Sequence, residues 1–297
     1  MRKFINWYSG LNVYVALIPF LIFYLLICLV FTRDRPYNDE IRYLLYTKYI
    51  LNGYYSPVPA IDLWSGRGYS AFLVPFLALK IPAMKLTFLN AFLLYFSLVI
   101  FNKTVGLYNL SKNISIYTVV LGLYFPVYMS LPILLTECLT WFLLTTVAYL
   151  LLKTIKTGEI SWRSIVLSAF FIAYLAMTKV IFGWVIILMI IISIAMLLIK
   201  RFKSAGKITA YIFSFSFILC LPYLIYTYSI TGKILYWTNC SGLSLYTMTA
   251  PYSKDYGDWK PEEDMAVNPK YKDFIKTVIN LPTVQKDQAY KKAAIAN

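Results

Sequence analysis

The side chains that could do chemistry in this chain are carboxylates, lysines, arginines and tyrosines, because the sequence contains no histidine. The absence of histidine removes the usual general base, most zinc sites and every Ser-His or Cys-His arrangement. The main candidates are charged residues close to the ends of apolar runs: Asp39, Glu40, Arg67, Glu137 and Lys179. A carboxylate can accept a proton from a hydroxyl, and a fixed cation can stabilise a developing negative charge.

The four cysteines add no second kind of site. Cys28, Cys138 and Cys220 lie in apolar runs, and Cys240 lies in a polar segment. Their positions have neither the spacing of a metal site nor the pattern of a disulfide framework. The chain also lacks the Gly-rich phosphate loops of P-loop and Rossmann proteins, so no nucleotide site is indicated.

The elements that must position the charged residues are long apolar runs. Of the 297 residues, 60% are hydrophobic and 14% are charged, and the mean hydropathy is +0.66. Soluble domains have about 45–50% apolar and about 25% charged residues. A helix needs roughly 20 mostly apolar residues to cross a hydrocarbon core about 30 Å thick. The sequence therefore predicts an all-α integral membrane protein with about seven transmembrane helices, at residues 11–31, 85–102, 114–132, 133–153, 163–178, 180–199 and 208–229.

The basic residues predict the orientation of these helices. The net charge is +15, from 28 Lys and Arg against 13 Asp and Glu. By the positive-inside rule, a cytoplasmic N-terminus puts most of the gap cations on the cytoplasmic side; they are Arg2, Lys3, Lys103, Lys112, Lys153, Lys156, Arg163, Lys200, Arg201, Lys203 and Lys207. This pattern, with contact to anionic lipid head groups, explains the charge better than nucleic-acid binding. Residues 32–84 and everything after Tyr228 are then extracytoplasmic.

Two segments allow other topologies. The apolar run that begins near Leu11 could be a signal peptide, but its length and the lack of a small-residue cleavage site favour a retained anchor. Residues 69–82 are interrupted by prolines and too short to span reliably, so we predict a re-entrant or interfacial helix. An eighth span there would invert everything downstream. Residues 39–51 have apolar residues at helical spacing with charges between them, which predicts a second interfacial helix.

The composition of the chain changes near residue 229. Residues 1–229 form the predicted membrane module, and its outer loop 32–84 carries the candidate catalytic carboxylates. Residues 230–297 predict a short extracytoplasmic segment with amphipathic helices near 269–280 and 283–296. The sequence ends at KKAAIAN within a helical pattern and without a capping signal, which favours a truncated form of a longer protein.

Each candidate residue also has a purely structural interpretation. Lys179 could snorkel to the outer surface, and Arg67 could anchor the chain at the membrane interface. Glu137 could pair with Lys179 or interact with the dipole of its own helix. Asp39 and Glu40 could be only the acidic first turn of an interfacial helix. Charges at membrane depth cost about 2.5–3.5 kcal/mol each, so they tend to face a cavity or one another.

Four stretches of the chain, in order, resemble the motifs of one family of membrane enzymes. Residues 38–53 (NDEIRYLLYTKYILNG) resemble its first-loop signature, and residues 66–75 (GRGYSAFLVP) resemble the Gly-Tyr and Pro segment that follows. Residues 136–150 (TECLTWFLLTTVAYL) resemble its fourth helix, which begins with an acidic residue. Residues 230–246 resemble the stretch after its seventh helix. The matching positions are Asp39-Glu40, Arg42-Tyr43, Gly53, Asn239, Gly242, Leu245 and Tyr246.

These motifs are similar to those of the GT-C superfamily of polyprenyl-phosphate-dependent glycosyltransferases. This group includes the protein O-mannosyltransferases, the aminoarabinose-lipid A transferases and the lipopolysaccharide-core transferases. The resemblance covers nearly the whole chain and implies a shared seven-helix module in the bacterial inner membrane. It also implies transfer of a sugar, by inverting displacement, from a polyprenyl-phosphate donor to an acceptor hydroxyl on the extracytoplasmic face. The acceptor would be a lipid, a glycan or a protein, and membrane lipids would be the other partners.

The same resemblance implies roles for individual residues. Asp39 would be the general base, and Glu40 would orient Asp39 or help to hold a divalent metal. The implied substrate-binding residues are Arg67, Glu137, Lys179, Tyr43 and Asn239. The two cations among them would stabilise the charge on the leaving lipid phosphate, and Glu137 would position Lys179 or contact the sugar. No cofactor is implied with certainty, and a divalent metal stays open.

Two other functions stay open. A polysaccharide polymerase or an O-antigen-ligase-like enzyme would use outer-loop arginine and usually histidine, so the lack of histidine counts against the ligase. A transporter of lipid-linked glycans should show internal repeats or paired broken helices near the bilayer midplane. No repeat is visible in the sequence, and the candidate charges lie near the outer ends of the predicted spans.

Overall fold

A computed structural model of the chain describes residues 12–108, 114–158 and 161–297. Those residues are 73% helix and contain no strand, which confirms the predicted all-α class. Arg2, Lys3 and Lys112, which contribute to the predicted orientation, lie outside the described residues. The α-helices, in chain order, are α1 (Val13–Ala16), α2 (Ile18–Phe31), α3 (Asp39–Leu51), α4 (Gly68–Ala78), α5 (Thr87–Gly106), α6 (Ile114–Gly122), α7 (Phe125–Tyr128), α8 (Glu137–Thr157), α9 (Trp162–Thr178), α10 (Ile181–Leu198), α11 (Lys203–Thr231), α12 (Ser241–Met248), α13 (Glu262–Val267), α14 (Lys272–Val278) and α15 (Thr283–Ala296).

Within the described residues, four helices are long and apolar enough to cross a membrane: α5, α8, α10 and α11. Short 3-10 turns extend two of them, so that the helical segments run over Ala83–Gly106 and Lys200–Thr231. The apolar helices α2, α4 and α9 are shorter, with 14, 11 and 17 residues. At 1.5 Å per residue even α9 reaches only about 26 Å, somewhat less than a hydrocarbon core of about 30 Å. The structure thus has four candidate spans, and the count of seven stays a prediction.

The predicted span at 114–132 is not one continuous helix. It is divided into α6 and α7, with a break at Leu123 and Tyr124. Pro126 explains the break, because a proline has no N–H to donate to the carbonyl four residues earlier and its ring would clash with that carbonyl. The carbonyl concerned, that of Gly122, instead accepts a hydrogen bond of 2.8 Å from the Tyr24 hydroxyl. The next helix, predicted from residue 133, begins at Glu137 after an irregular turn.

Both helices predicted in the outer loop are present. The helix predicted at 39–51 is α3, whose bounds are the same, and the one predicted at 69–82 is the shorter α4. Asp39 and Glu40 occupy the first turn of α3, where the helix dipole favours a negative charge. Gly53 follows that helix with φ +83°, a left-handed conformation that glycine adopts without steric cost.

The described chain forms two compact units. The first contains the described residues up to Gly53 together with Arg67–Leu221, and the second contains Tyr54–Gly66 together with Pro222–Asn297. The division therefore falls within α11 rather than at residue 229, and part of the outer loop belongs with the C-terminal segment.

The core of the first unit lies between α5, α8, α2 and α9, with α4 packed against α3 and α9. The amide of Asn90 on α5 donates to the carbonyls of Leu131 and Ile133, at 3.0 and 2.8 Å, and so satisfies the backbone of the irregular turn before α8. At the start of α4 the backbone of Gly68 lies so close to Thr178 at the end of α9 that a Cβ atom would overlap Thr178 Oγ1. These contacts determine where the ends of the helices meet.

The second unit has a separate aromatic core. Tyr246 of α12 packs against Phe274 of α14 and Tyr290 of α15, with ring centroids 4.7 and 5.5 Å apart. The segment 54–66 is tied to this unit by Thr238, whose hydroxyl lies 2.8 Å from the carbonyl oxygens of both Leu63 and Trp64. The predicted C-terminal amphipathic helices correspond to α14 and α15.

Candidate functional site

The first unit brings the starts of α3, α4 and α8 together with the end of α9. The carboxylate of Glu40, in the first turn of α3, accepts a hydrogen bond of 2.8 Å from the N–H of Leu134, three residues before α8. The hydroxyl of Tyr174, on the last turn of α9, donates to the carbonyl of Gly68 at 2.9 Å. Four of the sequence-predicted site residues, Asp39, Glu40, Glu137 and Lys179, lie at these helix ends, and Arg67 directly precedes α4.

Glu40 is fully buried and its carboxylate already has three donors. Oε2 accepts from Arg33 Nη2 at 2.6 Å and from the N–H of Tyr37 at 2.8 Å, and Oε1 accepts from the N–H of Leu134. A carboxylate engaged on both oxygens is suited to holding the loop 32–38 and the start of α8 against α3. Its geometry is that of a positioning residue.

Asp39, one residue earlier, is accessible. Its side chain is 53% exposed and accepts a 2.6 Å hydrogen bond from Arg42 Nη1, one turn along α3. An ion pair this exposed contributes little stability, but it restricts the orientation of the carboxylate. Asp39 is therefore the accessible one of the two carboxylates in the first turn of α3, and Asp34 in the preceding loop is exposed as well.

Glu137 and Lys179 form an ion pair of 2.9 Å. This is the pairing that the sequence left open as one alternative. Both side chains are nearly two-fifths exposed, at 39% and 38%, so that water screens the pair and either partner can exchange to a ligand. Glu137 lies in the first turn of α8 and Lys179 directly follows α9, where each charge is also favoured by the dipole of its helix.

Arg67 and Tyr43 are buried among aromatic rings. The guanidinium carbon of Arg67 lies 3.1 Å from the ring centroid of Tyr46, and the side chain is 1% exposed. Tyr43 packs edge-on against Tyr69, with centroids 5.2 Å apart. The tyrosines thus form the buried wall beneath the charged helix ends.

A cavity of about 480 Å³ lies in the same unit at the C-terminal end of α2. Its wall includes the apolar side chains of Leu29, Met84 and Phe88 and three charged residues, the cations Arg33 and Lys85 and the carboxylate Asp34. Arg33 connects the cavity to the helix ends, because the same guanidinium holds Glu40. Sequence reasoning missed Arg33 and Lys85 as candidates, although each directly flanks an apolar run, where a charge lies at membrane-interface depth.

Asn239, the remaining predicted substrate-binding residue, belongs to the second unit. Its backbone N–H donates to the carbonyl of Leu63 at 3.1 Å, and its Nδ2 lies 3.5 Å from the carbonyl oxygen of Ile61. The side-chain Oδ1 is buried and has no hydrogen-bond partner.

The described residues of the first unit offer no cluster of ligands for a divalent metal. Among the described residues, no group of three or more His, Cys, Asp or Glu could hold a metal ion. The two carboxylates in the first turn of α3 are occupied by cations and N–H donors, with Arg42 on Asp39 and three donors on Glu40. A metal would have to displace these donors, so no step of a mechanism is assigned to one.

No protein-family model, no curated protein and no solved structure matches this chain. The function is accordingly inferred from the residues and geometry of the chain itself.

Proposed function

We propose that this protein is a membrane glycosyltransferase that uses a polyprenyl-phosphate-linked sugar as donor. The acceptor oxygen forms a bond to the anomeric carbon of the sugar while the bond from that carbon to the phosphate oxygen breaks. The hydroxyl proton passes to Asp39, and the lipid phosphate leaves with the electron pair. A single displacement of this kind inverts the anomeric configuration and needs one base.

The observation that carries this proposal is the cavity at the C-terminal end of α2. Leu29, Met84 and Phe88 give it an apolar wall, and Arg33 and Lys85 give it two cations against one carboxylate, that of Asp34. The apolar wall suits a hydrocarbon chain, and the cations suit a phosphate. A water-soluble anion would not need the apolar wall, and a neutral lipid would not need the cations.

Asp39 fits the role of general base because it is the accessible carboxylate at the start of α3. Its pairing with Arg42 leaves one carboxylate oxygen, Oδ2, for an acceptor hydroxyl. Glu40 acts through structure: by binding Arg33 and the N–H of Leu134 it holds a cavity cation and the start of α8 in place.

Lys179 and Arg67 supply the remaining positive charge. When a donor phosphate enters, Lys179 can turn from Glu137 towards it, because both partners of this ion pair are partly exposed. Glu137 then serves to position Lys179 in the absence of substrate. Arg67, fixed over Tyr46, contributes a cation that cannot easily change place, as a preorganised site requires. Tyr43, buried against Tyr69, supports α3 from the protein interior.

Binding of the lipid phosphate tests the donor assignment directly. Native mass spectrometry of the detergent-purified protein should show a bound polyprenyl phosphate. Lys85→Ala should weaken this binding, because the variant removes an exposed cavity cation without disturbing a buried network. Lys48→Ala, an exposed lysine on α3 outside the cavity lining, is the matched control. Equal binding of uncharged polyprenol, or no difference between Lys85→Ala and Lys48→Ala, would contradict the donor assignment.

Asp39→Asn tests the chemistry. We expect transfer to fall by about a hundredfold or more while lipid-phosphate binding stays unchanged, because only the proton acceptor is lost. The measurement is release of polyprenyl phosphate from a polyprenyl-phosphate-linked sugar in the presence of membrane glycolipids as acceptors. Asp273→Asn, whose side chain is 92% exposed in the second unit, is the control. A rate that is unchanged in Asp39→Asn removes this residue as the base.

The alternative of a lipid-linked-glycan transporter is favoured by one observation, the broken helix α6–α7, since broken helices often line transport sites. The carbonyl freed at Gly122, however, is bound by the Tyr24 hydroxyl and does not face a ligand. We therefore interpret the break as a packing feature and keep transport as the second candidate. Movement of a fluorescent lipid-linked glycan from one leaflet to the other of a proteoliposome membrane, without transfer of its sugar, would favour the transporter.

A further inference from the structure

A second cavity, of about 180 Å³, lies wholly within the second unit. Trp64 from the segment 54–66, Asn239 and Leu243 around the start of α12, and Thr283 and Tyr290 of α15 contribute to its lining. Its volume is well below the roughly 300–1,000 Å³ of pockets for drug-sized ligands. A ligand of this cavity is therefore small, or one end of a larger molecule.

Each charged residue of the lining has a partner of opposite charge, and the partner of Asp287 lies outside the lining. Glu262 lies 3.3 Å from Lys286 and accepts a 2.7 Å hydrogen bond from the Tyr290 hydroxyl. Asp287 is 1% exposed and lies 2.7 Å from Lys291. Burial and the hydrogen bond to Glu262 raise the pKa of Tyr290 well above its ordinary value, so that its hydroxyl stays a donor to that carboxylate. The cavity thus has no spare charge to attract an ion, and a neutral ligand fits it best.

Asn239 supplies an acceptor without a donor. Its Oδ1 is buried with no hydrogen-bond partner, although the backbone of the residue is held by Leu63. Buried polar atoms in native proteins usually have a partner, and an exception calls for an explanation. Asn239 lines the cavity although Oδ1 itself has almost no accessible surface, so a rotation of the amide about χ2 would present Oδ1 to a ligand hydroxyl and supply the missing donor.

The lining has an apolar side and a polar side. Trp64, Leu243 and Leu281 are apolar or aromatic, whereas Asn239 and Thr283 carry polar groups. A pyranose ring has the same division, with C–H groups on its faces and hydroxyls around its edge. Aromatic side chains pack against such faces, and a few polar groups determine the orientation.

We propose that this cavity binds one ring of a neutral saccharide. Its role as the acceptor subsite, in which a terminal sugar of the acceptor is held, rests on the proposed glycosyltransferase function. The binding itself does not depend on that function.

Binding of free monosaccharides to the full-length protein in detergent tests this inference. Saturation-transfer NMR and isothermal titration with glucose, galactose, mannose and N-acetylglucosamine should detect at least one ligand. Trp64→Ala should weaken it about tenfold, because the variant removes the ring that packs on the sugar. Thr283→Trp should also abolish binding, because the larger side chain fills the cavity. Trp259→Ala, an exposed tryptophan of the same unit outside the lining, should bind as wild type.

Several outcomes would overturn the inference. They are no binding by any of the four sugars, equal affinity in wild type and Thr283→Trp, or displacement of the sugar by inorganic phosphate. Circular dichroism of Trp64→Ala and Thr283→Trp separates lost binding from lost folding. Saccharide binding without any transferase activity would leave the cavity assigned and contradict the proposed function. Transfer at the wild-type rate by Thr283→Trp would leave the proposed function standing and would contradict the role of this cavity as the acceptor subsite.

Discussion

At the residue scale, the two adjacent carboxylates of α3 have opposite environments. Successive helical residues point about 100° apart, so Asp39 faces solvent while Glu40 faces the core, at 53% and 0% side-chain exposure. The sequence cannot distinguish the two, because both suit the first turn of a helix equally well. The difference depends on donors that come from other segments, above all the N–H of Leu134, which is 94 residues away along the chain.

Removal of the buried carboxylate should destabilise the protein. Glu40→Ala leaves the N–H groups of Tyr37 and Leu134 without an acceptor, and we expect a loss of about 2–4 kcal/mol in the free energy of unfolding. The partly exposed Arg33 adds little to this sum. Glu40→Gln, which keeps one carbonyl acceptor, should lose less. Thermal unfolding in detergent measures the effect, and a Glu40→Ala midpoint equal to that of the exposed control Glu263→Ala would contradict it.

Asp255 should make the second unit sensitive to acid. The Tyr271 hydroxyl at 2.8 Å and Lys270 at 3.1 Å hold the pKa of Asp255 below its ordinary value of 3.8. Because the folded-state pKa is depressed, the stability from ionised Asp255 is complete above the ordinary value and is lost as pH falls through the folded-state value. Asp255→Asn should therefore have a lower free energy of unfolding than wild type near neutral pH. The difference between the two free energies should narrow as the pH drops below 3.8.

Hydrogen exchange of α14 amides, measured at neutral and acid pH, follows this effect within the second unit. Asp273→Asn is the control, since the Asp273 side chain is 92% exposed. A gap between Asp255→Asn and wild type that is the same at both pH values would show that the carboxylate does not stabilise the unit through its charge.

At the element scale, the sequence predicts a helix well where its own residues determine the bounds. It predicts a helix less well where a residue from a distant segment satisfies the backbone at a break. The alternating charges and apolar residues of 39–51 place α3 at its observed bounds. The apolar run at 114–132 suggests one span, because a hydropathy average does not show that Pro126 interrupts the helical backbone hydrogen bonds. The break is tolerated because the Tyr24 hydroxyl, 98 residues away, satisfies the Gly122 carbonyl. The same holds for the candidate site: the sequence shows its charged residues, but it does not show which of them form ion pairs with one another.

The packing of α12 against α15 should depend on the absence of a side chain at Gly242. A Cβ atom there would overlap the backbone carbonyl of Asp287, which cannot move as a flexible side chain could. Gly242→Ala should lower the free energy of unfolding by about 1–3 kcal/mol, as overpacking typically does. Gly106→Ala is the matched control, because nothing lies within 4 Å of its Cβ position and alanine favours a helix. Equal thermal midpoints for the two variants would contradict the close approach.

At the scale of the whole molecule, the first unit has charged residues at both ends of its helices, with the candidate site at one end and a basic cluster at the other. The candidate site lies at the starts of α3, α4 and α8, whereas Lys153, Lys156 and Arg163 lie near the end of α8 and the start of α9. A helix as long as α8, with 21 residues, separates its two ends by about 30 Å. If α8 crosses the bilayer, the candidate site and the basic cluster are on opposite sides, as the positive-inside rule predicts.

Cysteine labelling determines which side is which. In a Cys240→Ser background the remaining native cysteines are buried, so new exposed cysteines can be labelled selectively. Ile41→Cys on α3 and Trp162→Cys at the start of α9 replace side chains that are 54% and 60% exposed. A membrane-impermeant maleimide added to intact cells should label position 41, and position 162 only after permeabilisation. Labelling of both positions from outside would indicate one span more or one fewer between them than predicted, either because α4 crosses the membrane or because the broken α6–α7 segment does not. Labelling of 162 alone would put the proposed glycosyl transfer on the cytoplasmic side and remove the lipid-donor geometry argued for Asp39.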